Sequence, residues 1–234
     1  MSVAAGASRA KRSTSRITRH LLLGLCSLAV AAAVFSVVPA KSLMFRLSVA
    51  LAYPSLGLLA VALAIGPLSV LRGRPNPVST DARRDVGIWA GMLGLAHVVA
   101  GLQAHMGGQM RLYFLYPPDV PRPFAAIRLD AFGVANYVGL GATVLLVFLL
   151  ALSNDASLRA LGAERWKAAQ RTACVGFGLT VVHGALYQVI ERRQALLVTV
   201  FVAMVALVVA LQGAGWRRVR GRSSRPVEAS TNER

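Results

Sequence analysis

The chain has 234 residues, of which 56% are hydrophobic, and its mean hydropathy is +0.57, which excludes an ordinary soluble domain. The net charge of +17 would suit a nucleic-acid binder, but the basic residues cluster in short segments between apolar runs instead of forming a groove for phosphates. We therefore expect a chain embedded in membrane lipid, with no nucleic-acid partner.

Six apolar stretches follow in chain order, and each is long enough to cross a hydrocarbon core of about 30 Å as a helix of roughly 20 residues. They cover residues 20–38, 48–71, 86–106, 131–153, 168–190 and 195–216. Leu, Val, Ala and Gly dominate them, and no alternating pattern recurs, which favours helices over an outer-membrane barrel. The sequence thus predicts an all-α integral membrane protein built as a bundle of six transmembrane helices.

The Lys and Arg residues are distributed unevenly among the segments that flank these spans. Of the 26, 19 lie in residues 1–19, 72–85, 154–171 and 217–234, whereas the alternate segments carry seven. Basic residues are enriched on the cytoplasmic side of membrane proteins. Both termini are therefore predicted to be cytoplasmic, with residues 1–19 and 217–234 forming basic tails at the inner face of a bacterial plasma membrane.

The first apolar run leaves one alternative open. A basic N-terminus, an apolar run and small residues near Ala40 are also features of a secretory signal peptide. However, the run from Leu21 to Val38 is longer than the usual apolar region of about 7–15 residues in such signals. This length favours a first helix that is retained in the mature protein.

Two histidines are prominent because each lies in the middle of an apolar span. His97 is 13 residues after Arg84 and His183 is 12 residues after Arg171. Both imidazoles are therefore expected roughly 18–20 Å along their helices from equivalent basic anchors. An intramembrane imidazole is costly unless its ring nitrogens have partners, so it is a functional candidate. Two at matched depth predict that His97 and His183 are the axial iron ligands of one b-type haem.

Glycines near these histidines are compatible with a flat cofactor, because they remove side chains where a macrocycle would approach the backbone. Gly94 and Gly101 share the helix face of His97, and Gly176 lies about two turns before His183. Two alternatives stay open. The glycines could serve only close helix packing, and the histidines could serve only as hydrogen-bonding partners between helices.

The two remaining histidines and both cysteines are not expected to bind the haem. His20 is expected at the inner membrane boundary, and His105 at the outer end of its span as an interfacial residue, at the height of Glu191 or Arg192. Cys26 and Cys174 fall inside apolar spans without a paired spacing. They are predicted to be small core residues, not disulfide partners or metal ligands.

Several segments resemble the ferric reductase-like transmembrane family, and in particular the membrane haem b subunits of bacterial methionine-sulfoxide reductase systems. The matching segments are residues 83–89, 136–140, 152–155 and 161–167. The first is similar to the family's third-helix signature, and the others to its fourth helix and the entry to its fifth. The resemblance covers residues 45–190 approximately, and it implies that His97 and His183 bind haem b.

The chain departs from this family at two places. Gln170 stands where many members have a histidine, and glutamine is a poor haem ligand, so one haem is expected instead of two. Only 18 residues follow Trp216, and no Gly-rich dinucleotide fingerprint is present. We therefore expect an electron-transfer subunit without its own flavin or nicotinamide domain.

These observations predict a membrane haem protein that passes single electrons from a quinol or flavoprotein donor to an outer-side acceptor, such as a periplasmic reductase. The longest outer segment, residues 107–128, either docks that acceptor or forms an aromatic interface belt. Two other functions stay open. One is a cofactor-free six-helix transporter or structural membrane protein, and the other is a stand-alone ferric-chelate reductase.

Overall fold

A computed structural model of the chain describes residues 2–39, 41–74, 81–118 and 126–223. Within these residues the helices are α1 (Ser2–Val37), α2 (Leu43–Leu71), α3 (Asp81–Gly101), α4 (Ala131–Leu152), α5 (Asp155–Gln170), α6 (Thr172–Ile190) and α7 (Ala195–Ser223). Two short 3₁₀ turns, η1 (Met106–Gly108) and η2 (Met110–Tyr113), lie between α3 and α4. The all-α class is thus confirmed for the described part of the chain. Residues 119–125 of the long predicted outer loop and the end of the C-terminal tail lie outside it.

Five of the described helical regions are long and apolar enough to cross a membrane, as expected for a multi-pass membrane protein. They are Ser15–Val37, Leu43–Leu71, Ala131–Leu152, Asp155–Ile190 and Ala195–Gly221. The third predicted span is not among them. It ends at Gly101 instead of residue 106, because the chain turns there into η1. Arg84, Asp85 and His97 also make α3 more polar than its neighbours.

The segment between the fourth and fifth predicted spans contains a helix that the hydropathy pattern did not predict. Helix α5 begins after Asn154, whose side-chain oxygen accepts a hydrogen bond from the Ser157 backbone N–H at 2.8 Å. This is an N-cap, which satisfies a backbone donor that a helix start otherwise leaves free. As a result, α6 begins at Thr172 and not at residue 168. Helices α1 and α7 also extend into the predicted tails.

Helix α2 is the centre of the bundle, since it packs on α1, α3, α6 and α7, while α4 packs on α3, α5 and α6. The apolar core runs along α2 and includes Phe45, Leu56 and Phe201 of α7. Two serines of α2 face α3, and the Ser55 hydroxyl donates to the Ala90 carbonyl at 2.9 Å. Helices α2, α3, α4 and α6 together enclose the space that the candidate site occupies.

The outward faces of the helices are apolar, as lipid contact requires. Leu25, Val144 and Val209 are each more than 60% exposed on three different helices. The two cysteines also lie on this outer surface, because Cys26 and Cys174 are both exposed. Their prediction as core residues was wrong. An apolar span does not reveal which of its faces turns toward lipid and which toward the bundle.

The bundle has two ends, which we call the α5 end, where α5 lies, and the η-turn end, where η1 and η2 lie. At the α5 end, the fully buried carboxylate of Asp85 lies 3.1 Å from the guanidinium nitrogens of both Arg16 and Arg19. Nε2 of His20 is 3.4 Å from the same carboxylate. At the η-turn end, Lys41 forms an ion pair with Glu191. Charged groups thus lie at both ends of the apolar bundle.

Candidate cofactor site

His97 is oriented by the helix that faces it. Its Nδ1 lies 2.8 Å from the Ser48 carbonyl oxygen and 3.1 Å from the Ser48 hydroxyl. A carbonyl oxygen only accepts hydrogen bonds, so Nδ1 of the neutral ring carries the proton and donates it. Nε2 therefore keeps a free lone pair. This is the tautomer of a metal-binding histidine whose second nitrogen is held by a backbone carbonyl.

His183 repeats this arrangement on the other side of the site. Its Nδ1 lies 2.8 Å from the carbonyl oxygen of Ala135 in α4. The same reasoning assigns the proton to Nδ1 and a free lone pair to Nε2. Helices α3 and α6 both begin at the α5 end and run in the same direction, so they present the two imidazoles at the same level.

The two rings lie next to each other, with centroids 6.2 Å apart and planes at 75°. A metal–nitrogen bond of about 2.1 Å and a ring nitrogen roughly 1 Å from its ring centre would place two coaxial imidazoles about 6 Å apart. The separation of the two ring centroids is close to this value. In the described residues, no group of three or more His, Cys, Asp or Glu side chains is placed to hold a metal ion.

A cavity of about 240 Å³ lies between α2, α3, α4 and α6, and both histidines line it. The three glycines identified from the sequence, Gly94, Gly101 and Gly176, line it as well. The site residues that lie far apart in the sequence are thus brought to one apolar chamber. A largely apolar cavity with a few placed polar groups is typical of a small-molecule or cofactor site.

The surroundings of these glycines show what a side chain would meet there. A Cβ at Gly94 would lie 2.7 Å from the Leu146 side chain, and one at Gly101 would lie 3.2 Å from the Ser48 hydroxyl. At Gly176 the nearest atom would be 3.7 Å away, which is ordinary contact. Gly94 and Gly101 therefore permit close helix packing. A macrocycle beside the three glycines stays a prediction.

Gly139 is a site residue that the sequence analysis missed. A Cβ at this position would lie 2.6 Å from Nδ1 and 2.8 Å from Cε1 of His183. The imidazole therefore lies directly against the bare backbone of α4. Gly139 follows Ala135 by four residues and shares its helix face. That spacing becomes informative only once Ala135 is known to hold the histidine.

Aromatic side chains close the site toward the η-turn end. Tyr187, one turn after His183, has its ring centroid 4.9 Å from that imidazole and donates its hydroxyl to Asn136 at 3.0 Å. Tyr113 is almost completely buried, and its hydroxyl donates to the Gly101 carbonyl at 2.8 Å. Burial raises the pKa of this phenol. The spacing of four from His183 was the sequence signal for Tyr187.

His105 has a different environment from the central pair. Its Nε2 lies 3.3 Å from Glu191, one of the two residues predicted at its height, and its ring stacks on that of Tyr187 at 6.4 Å. Glu191 also accepts a hydrogen bond from Lys41 at 2.7 Å. His105 is thus part of a charged cluster at the η-turn end of the cavity.

Gln170 and the remaining histidine lie elsewhere. Gln170 ends α5 and does not line the cavity, although its side-chain nitrogen is buried without a hydrogen-bond partner among the described residues. Nδ1 of His20 accepts a hydrogen bond from the Trp89 indole at 3.1 Å, at the α5 end. Neither side chain contributes to the chamber that holds His97 and His183.

Comparison of the chain with protein-family models, with curated proteins and with solved structures finds no match. The resemblance to the ferric reductase-like transmembrane family therefore rests on the sequence segments quoted above.

Proposed function

We propose that this chain is a six-span membrane protein of the ferric reductase-like type that binds one haem b between His97 and His183 and transfers single electrons. One observation carries the proposal. Two intramembrane imidazoles lie 6.2 Å apart in a common cavity, and each has its Nδ1 tied to a backbone carbonyl. A porphyrin supplies its own four equatorial nitrogens, so two axial histidines from the protein are enough.

The residues of the chain would give this site its electron-transfer character. Ser48 and Ala135 hold the ligand tautomers, and the carbonyl contacts make the imidazoles stronger donors. Tyr113 and Tyr187 limit access of water from the η-turn end. Haem b, when bound, would supply a reversible one-electron couple, and His97 and His183 would be the residues that hold its iron.

The proposed direction of transfer follows from the distribution of charge. With the α5 end in the cytoplasm, the donor is a flavoprotein on that side or a membrane quinol. The acceptor is an outer-side partner, such as a periplasmic reductase, which meets the η-turn end. Helix α3 completes the six spans, because it lies between α2 and α4 and its polar residues are paired at the α5 end.

Optical spectroscopy tests the proposal against the cofactor-free alternative. Protein purified from a membrane should show the Soret and α bands of a reduced b-type haem. A correctly folded, colourless protein that takes up no haem when it is supplied would support a transporter or a structural membrane protein instead.

A fluorescent protein and alkaline phosphatase, each fused after Arg234, should report the topology. We expect fluorescence and no phosphatase activity, because 19 of the 26 Lys and Arg residues lie in the segments assigned to the cytoplasm. The two fusions are controls for each other, since one reporter works inside and the other outside. Phosphatase activity without fluorescence would invert the topology and with it the direction of electron transfer.

The haem-to-protein ratio should be close to one, and a redox titration should follow a single one-electron wave. Gln170 replaces the histidine that a second haem would use, and its side chain lies outside the cavity. Pyridine haemochrome content per protein and the potentiometric titration measure both quantities. A Gln170→His variant serves as the comparison, in which additional haem is expected. Two resolved potentials in the unmodified protein would contradict the single-haem expectation.

A further inference from the structure

The cavity changes in polarity along its length. Its deeper part, toward the α5 end, is lined by apolar side chains that include Leu146, Leu149 and Ala173. The end of the cavity near η1 and η2, which we call its mouth, is lined by Gln188, Arg193 and aromatic side chains. A ligand with one apolar edge and one charged edge can therefore enter in only one orientation without burying its charge.

Arg193 places a cation at this end of the cavity, with Glu191 as the charged group that acts on it. It lies in the connection between α6 and α7, partly buried, with its guanidinium 4.8 Å from the Phe45 ring centroid. Its backbone N–H donates to the Gln188 carbonyl at 3.0 Å, but within the described parts of the chain its guanidinium has no hydrogen bond and no carboxylate within ion-pair distance. The nearest acid, Glu191, is already paired with Lys41 at 2.7 Å and with His105 at 3.3 Å.

Partial burial of a guanidinium costs free energy that a directly paired anion normally offsets, and no such anion lies within ion-pair distance of Arg193 in the described residues. That burial lowers the pKa of Arg193 below its ordinary value, but an arginine stays charged at neutral pH. The side-chain oxygen of Gln188 is also buried with no partner in the described structure, but it is an acceptor and so adds no donor for an anion. Its nitrogen contacts the Tyr53 hydroxyl at 3.3 Å.

We propose that Arg193 is a carboxylate-binding site at the mouth of the cavity, and that it orients the ligand held by His97 and His183. The inference rests on the proposed function, because the carboxylates it would take are the two propionates of haem b. Arg193 would hold the propionates at the η-turn end of the cavity, and Leu149 would line the space for the apolar part of the ligand. The planar guanidinium suits a carboxylate because it offers two parallel N–H donors.

Full-length protein from haem-depleted cells, titrated with haem and with haem dimethyl ester, tests this site. The ester keeps the macrocycle and iron but lacks the negative charges. Arg193→Gln should weaken binding of haem by about tenfold or more, which is the value of a charge-assisted hydrogen bond, and leave binding of the diester unchanged. The midpoint potential should also fall, since a nearby positive charge no longer stabilises the reduced state.

Arg192→Gln is the matched control, because Arg192 is the exposed neighbour in the same connection. It should bind haem as the unmodified protein does. Arg193→Lys keeps the charge and should retain part of the preference for haem over its diester. Size-exclusion chromatography of each variant establishes that the bundle is folded.

Two results would overturn the assignment. Equal affinity of folded Arg193→Gln and unmodified protein for haem would show that Arg193 holds no carboxylate. An equal loss for haem and diester would show that it only shapes the cavity. Failure of the unmodified protein to bind either compound with a bis-imidazole spectrum would instead remove the proposed function itself, so the two failures are distinguishable.

Discussion

Replacement of either His97 or His183 with alanine should reduce haem incorporation by at least about tenfold, since loss of even an outer-shell partner of a metal ligand costs that much. Each substitution removes one axial nitrogen from a pair whose centroids are 6.2 Å apart. The measurement is the haem-to-protein ratio of the purified variants, together with the reduced-minus-oxidised spectrum. A single remaining imidazole should give a high-spin spectrum with an open iron position in any haem that is retained.

Two other histidines provide the controls. His20→Ala changes a side chain that contacts Asp85 and Trp89 at the α5 end, and His105→Ala changes one that is paired with Glu191. Neither substitution should lower the haem content. If a His97→Ala, His183→Ala double variant kept full haem content, the proposed haem pair would have to be abandoned.

Gly139→Ala should also reduce haem binding, by roughly 10–100-fold, although the residue carries no ligand atom. The new Cβ would lie 2.6 Å from Nδ1 of His183, so the imidazole must move away from α4. That movement breaks its hydrogen bond to the Ala135 carbonyl. It also turns the lone pair of Nε2 away from the direction in which it would bind iron. Haem titration and the spin state of the bound iron measure the effect.

Gly141→Ala is the matched control on the same helix. A Cβ there would meet only Leu179, at 3.5 Å, which is ordinary van der Waals contact. Both substitutions replace glycine with alanine inside α4, so helix propensity rises equally in the two variants. Unchanged haem affinity in Gly139→Ala would show that the His183 ring does not depend on this contact.

Much of the bundle could be predicted from hydropathy and charge, because both are local properties of the chain. Runs of apolar residues marked five of the helices that can cross a membrane. The spacing from Arg84 and Arg171 placed His97 and His183 at the same level, and the two rings do lie side by side. The same spacing placed Glu191 or Arg192 at the height of His105, and the structure shows that His105 contacts Glu191.

Helix rotation and the short helix between spans could not be predicted in this way. Cys26 and Cys174 lie in apolar runs and yet turn outward, since every face of such a run is apolar. Helix α5 lacks the length and hydropathy of a span, and its start depends on the Asn154 cap. The end of α3 at Gly101 depends on the 3₁₀ turns that follow it.

The sequence by itself determined the class of the protein and the two histidines at matched depth, because composition, charge and spacing are properties of a single helix. Only the tertiary structure decided what those histidines contact. The carbonyls of Ser48 and Ala135 and the bare backbone of Gly139 belong to other helices. Such contacts depend on how each helix is rotated and how deeply it lies against its neighbours. Packing of the whole bundle sets both quantities.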